Sequence, residues 1–274
     1  MGFAPDTDIA FGESSHQLVY RLLSALPRDA KVVSTTGEFH SLYRQLRRLQ
    51  EDGLRVTWVA GTPRATLSER VIAAIDDDTD LVALSAVMFE DAWIASLDAV
   101  IERSVDVGAI PLVDAYHAFN IVPLSWSERA RDHVYVTAGG YKYAGFGNGL
   151  CWLRLPPNCA LRPAYTGWFA DFANLAEPRD DRPVGYGPGA DRFGGATFDA
   201  SALYRARAVL AHWDAFALDV PALRRISIAQ TRRIIEKLAP GTELVSSRAD
   251  ERRGGFVTVR HAAAGSLVRG LRER

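Results

Sequence analysis

A lone lysine follows a β-type run in a glycine-rich stretch, which makes it a candidate for chemistry. Lys142 stands between two tyrosines, and five of the eleven residues in 139–149 are glycine. Lysines usually lie on solvated faces among other charges. A desolvated lysine has a lowered pKa and can attack a carbonyl carbon to form a Schiff base. The pattern therefore predicts Lys142 to be an amine nucleophile.

An acidic residue lies at the end of another apolar run, 110–113. Asp114 closes that run and His117 follows three residues later. A lysine for an aldehyde and a carboxylate for a ring nitrogen are what pyridoxal phosphate requires of a protein. Asp114 and His117 with a serine could also indicate a hydrolase triad, but no GxSxG motif supplies the nucleophile. The residues favour pyridoxal phosphate, with Lys142, Asp114 and His117 as catalytic candidates.

Two serines precede a stretch with helical periodicity near the N-terminus. Ser14 and Ser15 stand just before Leu18, Val19 and Leu22. An N-terminal turn with free N–H groups and hydroxyls can hold a phosphate, and the same residues also serve as an ordinary helix cap. The sequence leaves both interpretations open.

Composition and charge narrow the function classes. The chain has 274 residues with a formal net charge of −1, 48% hydrophobic and 24% charged residues, which is typical of a globular protein. Such a balance predicts no nucleic-acid partner, and no run of apolar residues is long enough for a membrane span. Cys151 and Cys159 form no metal-ligand pattern, and the acidic turn 76–80 lacks calcium-loop spacing, so we expect no metal site. With no visible secretory signal, the sequence predicts a cytoplasmic protein.

Strand and helix patterns alternate along most of the chain. Predicted strands lie at 8–11, 31–36, 55–60, 81–89, 110–114, 133–137 and 149–155. Predicted helices include 95–107, two between 199 and 238, and a last amphipathic stretch at 266–274. Alternation of this kind predicts an α/β fold, a mostly parallel central sheet with helices on both faces.

The C-terminal part of the sequence reads differently. Residues 158–198 lose periodicity, and a run of that length inside a compact domain is usually functional. Short strands are predicted at 243–246 and 255–260. We therefore predict a cofactor-binding large domain at 1–215 and an incomplete α+β small domain at 216–274.

Several motifs together resemble a known family. Asp114-x-x-His117, the Tyr-Lys-Tyr loop at 141–143 with Gly147-x-Gly149, Arg162-Pro163 with 167–169, and 38–41 occur in the family's order. Residues 8–198 resemble fold-type I pyridoxal-phosphate enzymes of the aminotransferase class V group, and within it kynureninase-like proteins. The resemblance implies an amino acid or amine substrate and a homodimer with shared active sites.

The resemblance also implies roles for individual residues. Lys142 would bind the cofactor's aldehyde and move protons, and Asp114 would hold the pyridinium nitrogen. Phe39 would stack on the ring, His117 would support the ring or Asp114, and Thr197 would come from the partner subunit. The implied cofactor-binding residues are Ser14, Ser15, Phe39, Ser85, Asp114, His117, Tyr141, Lys142, Trp168 and Thr197.

Departures from the family leave the reaction open. Family members are longer at both ends, and the arginine that binds the substrate carboxylate has no clear counterpart, although Arg260 and Arg269 are available. The resemblance implies kynureninase-like Cβ–Cγ hydrolysis or aminotransferase-type chemistry. A cysteine desulfurase or lyase is an alternative, although the two cysteines lie close to predicted strands. A non-catalytic α/β scaffold that uses the same fold for binding is the second class of function.

Overall fold

The fold is built on one seven-stranded sheet. The computed structural model describes residues 3–4, 6–178 and 181–273. The strands are β1 (Ile9–Gly12), β2 (Lys31–Thr35), β3 (Arg55–Val59), β4 (Leu81–Ser85), β5 (Ile110–Asp114), β6 (Tyr135–Gly139) and β7 (Cys151–Arg154). Their order is β1-β7-β6-β5-β4-β2-β3. The five neighbouring strands β3, β2, β4, β5 and β6 pair in parallel. Strand β7 pairs antiparallel with both β6 and β1. The predicted mostly parallel α/β sheet is confirmed.

Helices cover both faces of this sheet. The helices are α1 (Ser15–Leu23), α2 (His40–Glu51), α3 (Leu67–Ala74), α4 (Asp98–Asp106), α5 (Glu128–His133), α6 (Ser201–Ala215), α7 (Val220–Glu236) and α8 (Ala264–Arg272). Apolar side chains of α1 and α2 share one core cluster, and those of α3, α4 and α5 share another. The sheet is thus sandwiched between two apolar layers.

The central strand β4 shows why its sequence is apolar throughout. Leu81 and Ala83 point into the α1–α2 cluster, while Val82 and Leu84 point into the α3–α4–α5 cluster. Side chains alternate across a strand, so a strand buried on both faces must be apolar at every position. Burying one leucine stabilises the fold by roughly 1.5–3 kcal/mol.

Two strands differ in extent from their predicted ranges. The predicted strand 81–89 ends at Ser85, after which Val87 forms only an isolated bridge with Ile94. The predicted strand 133–137 begins at Tyr135 instead, because His133 ends α5. That helix is capped by Ser127 Oγ, which accepts from the Ala130 N–H at 3.0 Å. Capping supplies a local helix where the apolar run alone indicated a strand.

The C-terminal segment forms a small separate sheet. The predicted strands 243–246 and 255–260 shorten to β8 (Glu243–Leu244) and β9 (Val259–Arg260), which pair antiparallel. Helix α8 covers residues 266–272 of the predicted amphipathic stretch 266–274, and Arg274 lies outside the described residues. The domain division at 215/216 stays a prediction. Among the helices described, none has the length and apolar character to cross a membrane.

Candidate active site

A cavity of about 300 Å³ opens at the carboxyl ends of the parallel strands. Four parts of the chain line most of it: the start of α1, the start of α2, the loop after β5 and the loop after β6. Its lining includes Ser14, Ser15, His16, Phe39, Gln45, Asp114, Tyr116, His117, Tyr141, Lys142, Gly147, Asn148, Gly149 and Cys151. Ligands in open α/β sheets collect at this edge. Of the ten predicted cofactor-binding residues, seven line this one cavity.

Lys142 holds its amine inside this cavity against aromatic rings. Its Nζ lies 5.0 Å from the centroid of the Tyr116 ring and 5.4 Å from that of Phe39. Burial lowers the pKa of Lys142, and the negative charge of Asp114 offsets part of that shift. A lowered pKa leaves more of the amine neutral near pH 7, which is the form that attacks a carbonyl.

Asp114 lies at the cavity floor, at the end of β5. Burial raises the pKa of the Asp114 carboxyl, while the N–H of Tyr116, which donates to Oδ1 at 2.8 Å, and the charge of Lys142 act in the opposite direction. A carboxyl in this position is suited to hold a cationic ring N–H, because desolvation strengthens the attraction between opposite charges.

His117 contacts both the lysine and an aromatic ring. Its Nε2 is in hydrogen-bond contact with Lys142 Nζ. Burial, together with the lysine's charge, lowers the pKa of His117 to about 4. The neutral imidazole is therefore suited to accept a hydrogen bond from the amine. The His117 ring also meets Phe39 edge-on, with centroids 5.8 Å apart, so these two rings form adjoining apolar walls.

Ser14 lies where the sequence placed a helix cap. Its Oγ accepts from the Gln17 N–H at 3.3 Å, and α1 begins at the next residue. The positive end of α1 faces the cavity through Ser15 and His16, so this end favours an anion. Both interpretations of the serine pair are compatible with this geometry, since Ser14 caps the helix and the cavity lies at the capped end.

Three predicted residues lie outside the cavity lining. Ser85 is 4% exposed, and its Oγ donates to Glu38 Oε2 at 2.5 Å. The indole of Trp168 is 44% exposed and stacks on the Phe169 ring at 4.2 Å. Thr197 is exposed in the segment before α6. Within one chain the structure does not bring these three residues to Lys142.

Glu38 is a buried acid that sequence reasoning passed over. It is 2% exposed and accepts from the Ser85 N–H at 3.0 Å and from Thr35 Oγ1 at 2.7 Å. Burial raises the pKa of Glu38 to about 7, although its hydrogen bonds act in the opposite direction. Ser85 is the register partner of Asp114 on the neighbouring strand, which places Glu38 one strand away from the cavity floor. The sequence feature that could have indicated this buried acid is the position of Glu38 directly before Phe39.

The two cysteines are held in place by the fold. Cys151 opens β7 at the cavity wall, 5% exposed, with its Sγ 3.9 Å from Tyr116 Oη. Burial raises the pKa of the Cys151 thiol. Cys159 is also buried, and its Sγ lies 3.1 Å from Tyr135 Oη. Neither thiol lies on an exposed loop, so neither is suited to act as a mobile nucleophile toward a substrate.

Comparison with known proteins identifies the family. The family model described as aminotransferase class-V matches residues 10–265. The chain belongs to this family. A kynureninase from Pseudomonas fluorescens is 30% identical over 219 residues, which cover 75% of this chain and 50% of that enzyme. The class-V chain thus spans half the length of this curated relative.

Solved structures show the same fold. The apo structure of a cysteine desulfurase from Thermococcus onnurineus NA1 has a TM-score of 0.80 at 18% identity, covering 97% of this chain and 67% of its own. A C-DES mutant with glycine covalently linked to its PLP cofactor has a TM-score of 0.77 at 16% identity, covering 97% and 71%. At these identities the likeness supports the class-V fold and leaves the reaction open.

Proposed function

We propose that this class-V chain is a pyridoxal-phosphate enzyme that acts on an amino acid, with kynureninase-like hydrolysis of a Cβ–Cγ bond as its reaction. The observation that carries the proposal is one cavity that holds both the Lys142 amine, with its lowered pKa, and the Asp114 carboxyl. The residues present fit the cofactor, because an amine, a carboxyl, an apolar ring wall and a helix N-terminus all line this cavity.

The chain's own residues divide the work. When bound, pyridoxal phosphate supplies an aldehyde that reacts with amines and a protonated ring that withdraws electrons. Asp114 holds the proton on the ring nitrogen, and Phe39 and His117 cover the ring and exclude water. Lys142, as a neutral amine, would take and return the proton at the substrate's Cα. Ser15 and the start of α1 receive the phosphate.

A homodimer would explain two of the three predicted residues that lie outside the cavity. Trp168 and Thr197 are exposed and do not line the cavity of their own chain, so we propose that the partner subunit presents them to the cavity. Two free thiols suit a reducing compartment, and we propose the cytoplasm. Sedimentation of the purified protein would test the dimer, and a monomer at micromolar concentration would contradict it.

Cofactor loading followed by a substrate screen tests the function. The protein is incubated with pyridoxal phosphate, reduced with borohydride and digested, and the modified peptide should contain Lys142. Kynurenine is then tested as the first substrate. Its cleavage is measured by the change in absorbance that accompanies loss of the aryl ketone. Cleavage of kynurenine supports the hydrolase. Transfer of an amino group, or release of sulfur from another amino acid, would instead identify the protein as an aminotransferase or a desulfurase. A protein that forms no adduct would contradict the enzyme proposal and favour a binding scaffold.

Asp114→Asn should lower turnover while leaving cofactor capture intact. Asparagine fits the space but cannot carry the charge that holds the ring nitrogen's proton, and a charged hydrogen bond is worth about 1.5–3 kcal/mol. We expect turnover to fall about 10- to 100-fold. Borohydride should still fix the cofactor on Lys142. Asp80→Asn, at a carboxylate that receives the Lys31 N–H away from the cavity, serves as the control. Unchanged turnover in Asp114→Asn would contradict the proposed role of Asp114 in holding the proton on the ring nitrogen.

A further inference from the structure

An arginine from α6 holds the glycine-rich loop that follows Lys142. Arg205 donates through Nε to the carbonyl of Phe146 and through Nη2 to the carbonyl of Asn148 at 2.6 Å. The two carbonyls belong to the peptide units that enter Gly147 and Gly149. Both glycines line the cavity. One guanidinium therefore fixes the orientation of two peptide planes at the cavity edge.

The geometry of a peptide unit decides where the matching N–H groups point. In a trans peptide the C=O and the N–H lie in one plane and point in opposite directions. Because Arg205 takes the carbonyls of residues 146 and 148, the N–H groups of Gly147 and Gly149 point away from it. Within the part of the chain that the structure describes, neither N–H donates a hydrogen bond. Buried or semi-buried amides normally find an acceptor, so these two are available to a ligand.

Glycine is required at both positions. Gly147 has φ +74° and Gly149 has φ +89°, a region that residues with a Cβ rarely adopt. A Cβ on Gly147 would also lie 2.6 Å from Arg205 Nε, so the guanidinium can approach the loop only because no side chain is present. Backbone N–H groups that converge in a turn can form a concave site for anions.

We propose that Arg205 is a positioning residue that aims the amides of Gly147 and Gly149 at an anionic group in the cavity. The anion is a phosphate, and under the proposed function it is the phosphate of pyridoxal phosphate. Gly147 and Gly149 line the same cavity as the start of α1, so the phosphate is held from two sides. The inference rests on the proposed function for the identity of the phosphate carrier.

Comparison of pyridoxal phosphate with pyridoxal separates this role from general damage to the cavity. Arg205→Ala should weaken binding of pyridoxal phosphate about tenfold or more, as expected for two hydrogen bonds to a charged acceptor. Pyridoxal, which lacks the phosphate, should bind within about twofold of the wild type. Arg207→Ala removes an exposed arginine from the same helix and should change neither affinity. Equal weakening of both ligands, or no weakening, would overturn the proposal.

Arg205→Lys tests orientation against charge. Lysine keeps the positive charge but lacks the planar fork that binds two carbonyls at once. We expect it to recover only part of the affinity for pyridoxal phosphate, and full recovery would show that charge alone is responsible.

A measurement with inorganic phosphate keeps this inference separate from the cofactor proposal. Phosphate should raise the melting temperature of the wild type and of Arg207→Ala more than that of Arg205→Ala. If the wild type binds no pyridoxal phosphate, the proposed function fails, and this difference still decides the role of Arg205. Equal shifts in all three proteins would overturn the inference.

Discussion

Lys142→Ala is expected to abolish covalent capture of pyridoxal phosphate and to lower turnover at least about 10³-fold. The amine is the group that attacks the aldehyde and moves the proton, and alanine can do neither. Among the residues that the structure describes, no second lysine lines the cavity, because the other lysines of the sequence, Lys31 and Lys237, are not in its lining. Borohydride reduction followed by intact mass and peptide mapping measures capture directly.

Because the sequence contains only three lysines, peptide mapping can assign the adduct to one of them. Lys237→Ala removes an exposed lysine after α7 and should leave both the adduct and turnover unchanged. Free cofactor added to Lys142→Ala should still bind without a covalent bond, because the phosphate and ring contacts remain. An adduct that maps to Lys31 or Lys237, or full capture by Lys142→Ala, would contradict the assignment of Lys142.

The grouping of Asp114, His117 and Lys142 could be predicted because it depends on topology. Parallel strands end at one edge of a sheet, and the apolar runs before Asp114 and Lys142 showed where two strands end. The exact strand limits could not be predicted from apolar runs. His133 ends the capped helix α5, and β4 ends at Ser85, with Val87 forming only an isolated bridge to Ile94.

Contacts between distant segments were beyond the sequence pattern. Arg205 lies 59 and 57 positions along the chain from the two loop carbonyls that it binds, and its helix follows a segment without periodicity. Glu38 and Ser85 are 47 positions apart and meet only because β2 and β4 are neighbours. The family resemblance implied that Ser85 binds the cofactor, whereas in the structure its hydroxyl donates a hydrogen bond to Glu38. Long-range partners of polar groups depend on register, which short motifs do not specify.

Glu38→Gln should remove a pH-dependent loss of stability from the unliganded protein. Glu38 is an acid whose pKa rises from 4.5 in the unfolded chain to about 7 in the fold. The folded state therefore holds this proton more tightly, and between these pH values the unfolded chain loses the proton first. Stability falls as pH rises through this window. The difference corresponds to about 3 kcal/mol once the pH exceeds 7.

The buried amide of glutamine imitates the protonated acid. Its oxygen can accept from the Ser85 N–H and Oγ. Its amide can donate to Thr35 Oγ1, provided that the threonine hydroxyl, which donates to Glu38 Oε1 in the wild type, turns to accept. At pH 5 the wild type and Glu38→Gln should therefore have similar free energies of unfolding. At pH 8 the variant should be more stable by up to about 3 kcal/mol, which is reduced by any hydrogen bond that the amide makes poorly.

Urea unfolding at several pH values measures this effect as a difference between proteins. The difference matters because the lowered pKa of His117 acts with the opposite sign: its unfolded state binds protons more readily below about pH 6.5, so stability falls there as the pH decreases. Comparing Glu38→Gln with the wild type cancels that contribution. Glu69→Gln, at an exposed glutamate of α3, controls for the loss of one surface charge. A difference between Glu38→Gln and wild type that is the same at pH 5 and pH 8 would show that Glu38 binds the same number of protons in the folded and unfolded states. Its carboxyl would then be ionised in the fold, as it is in the unfolded chain over this range, and the raised pKa would be contradicted.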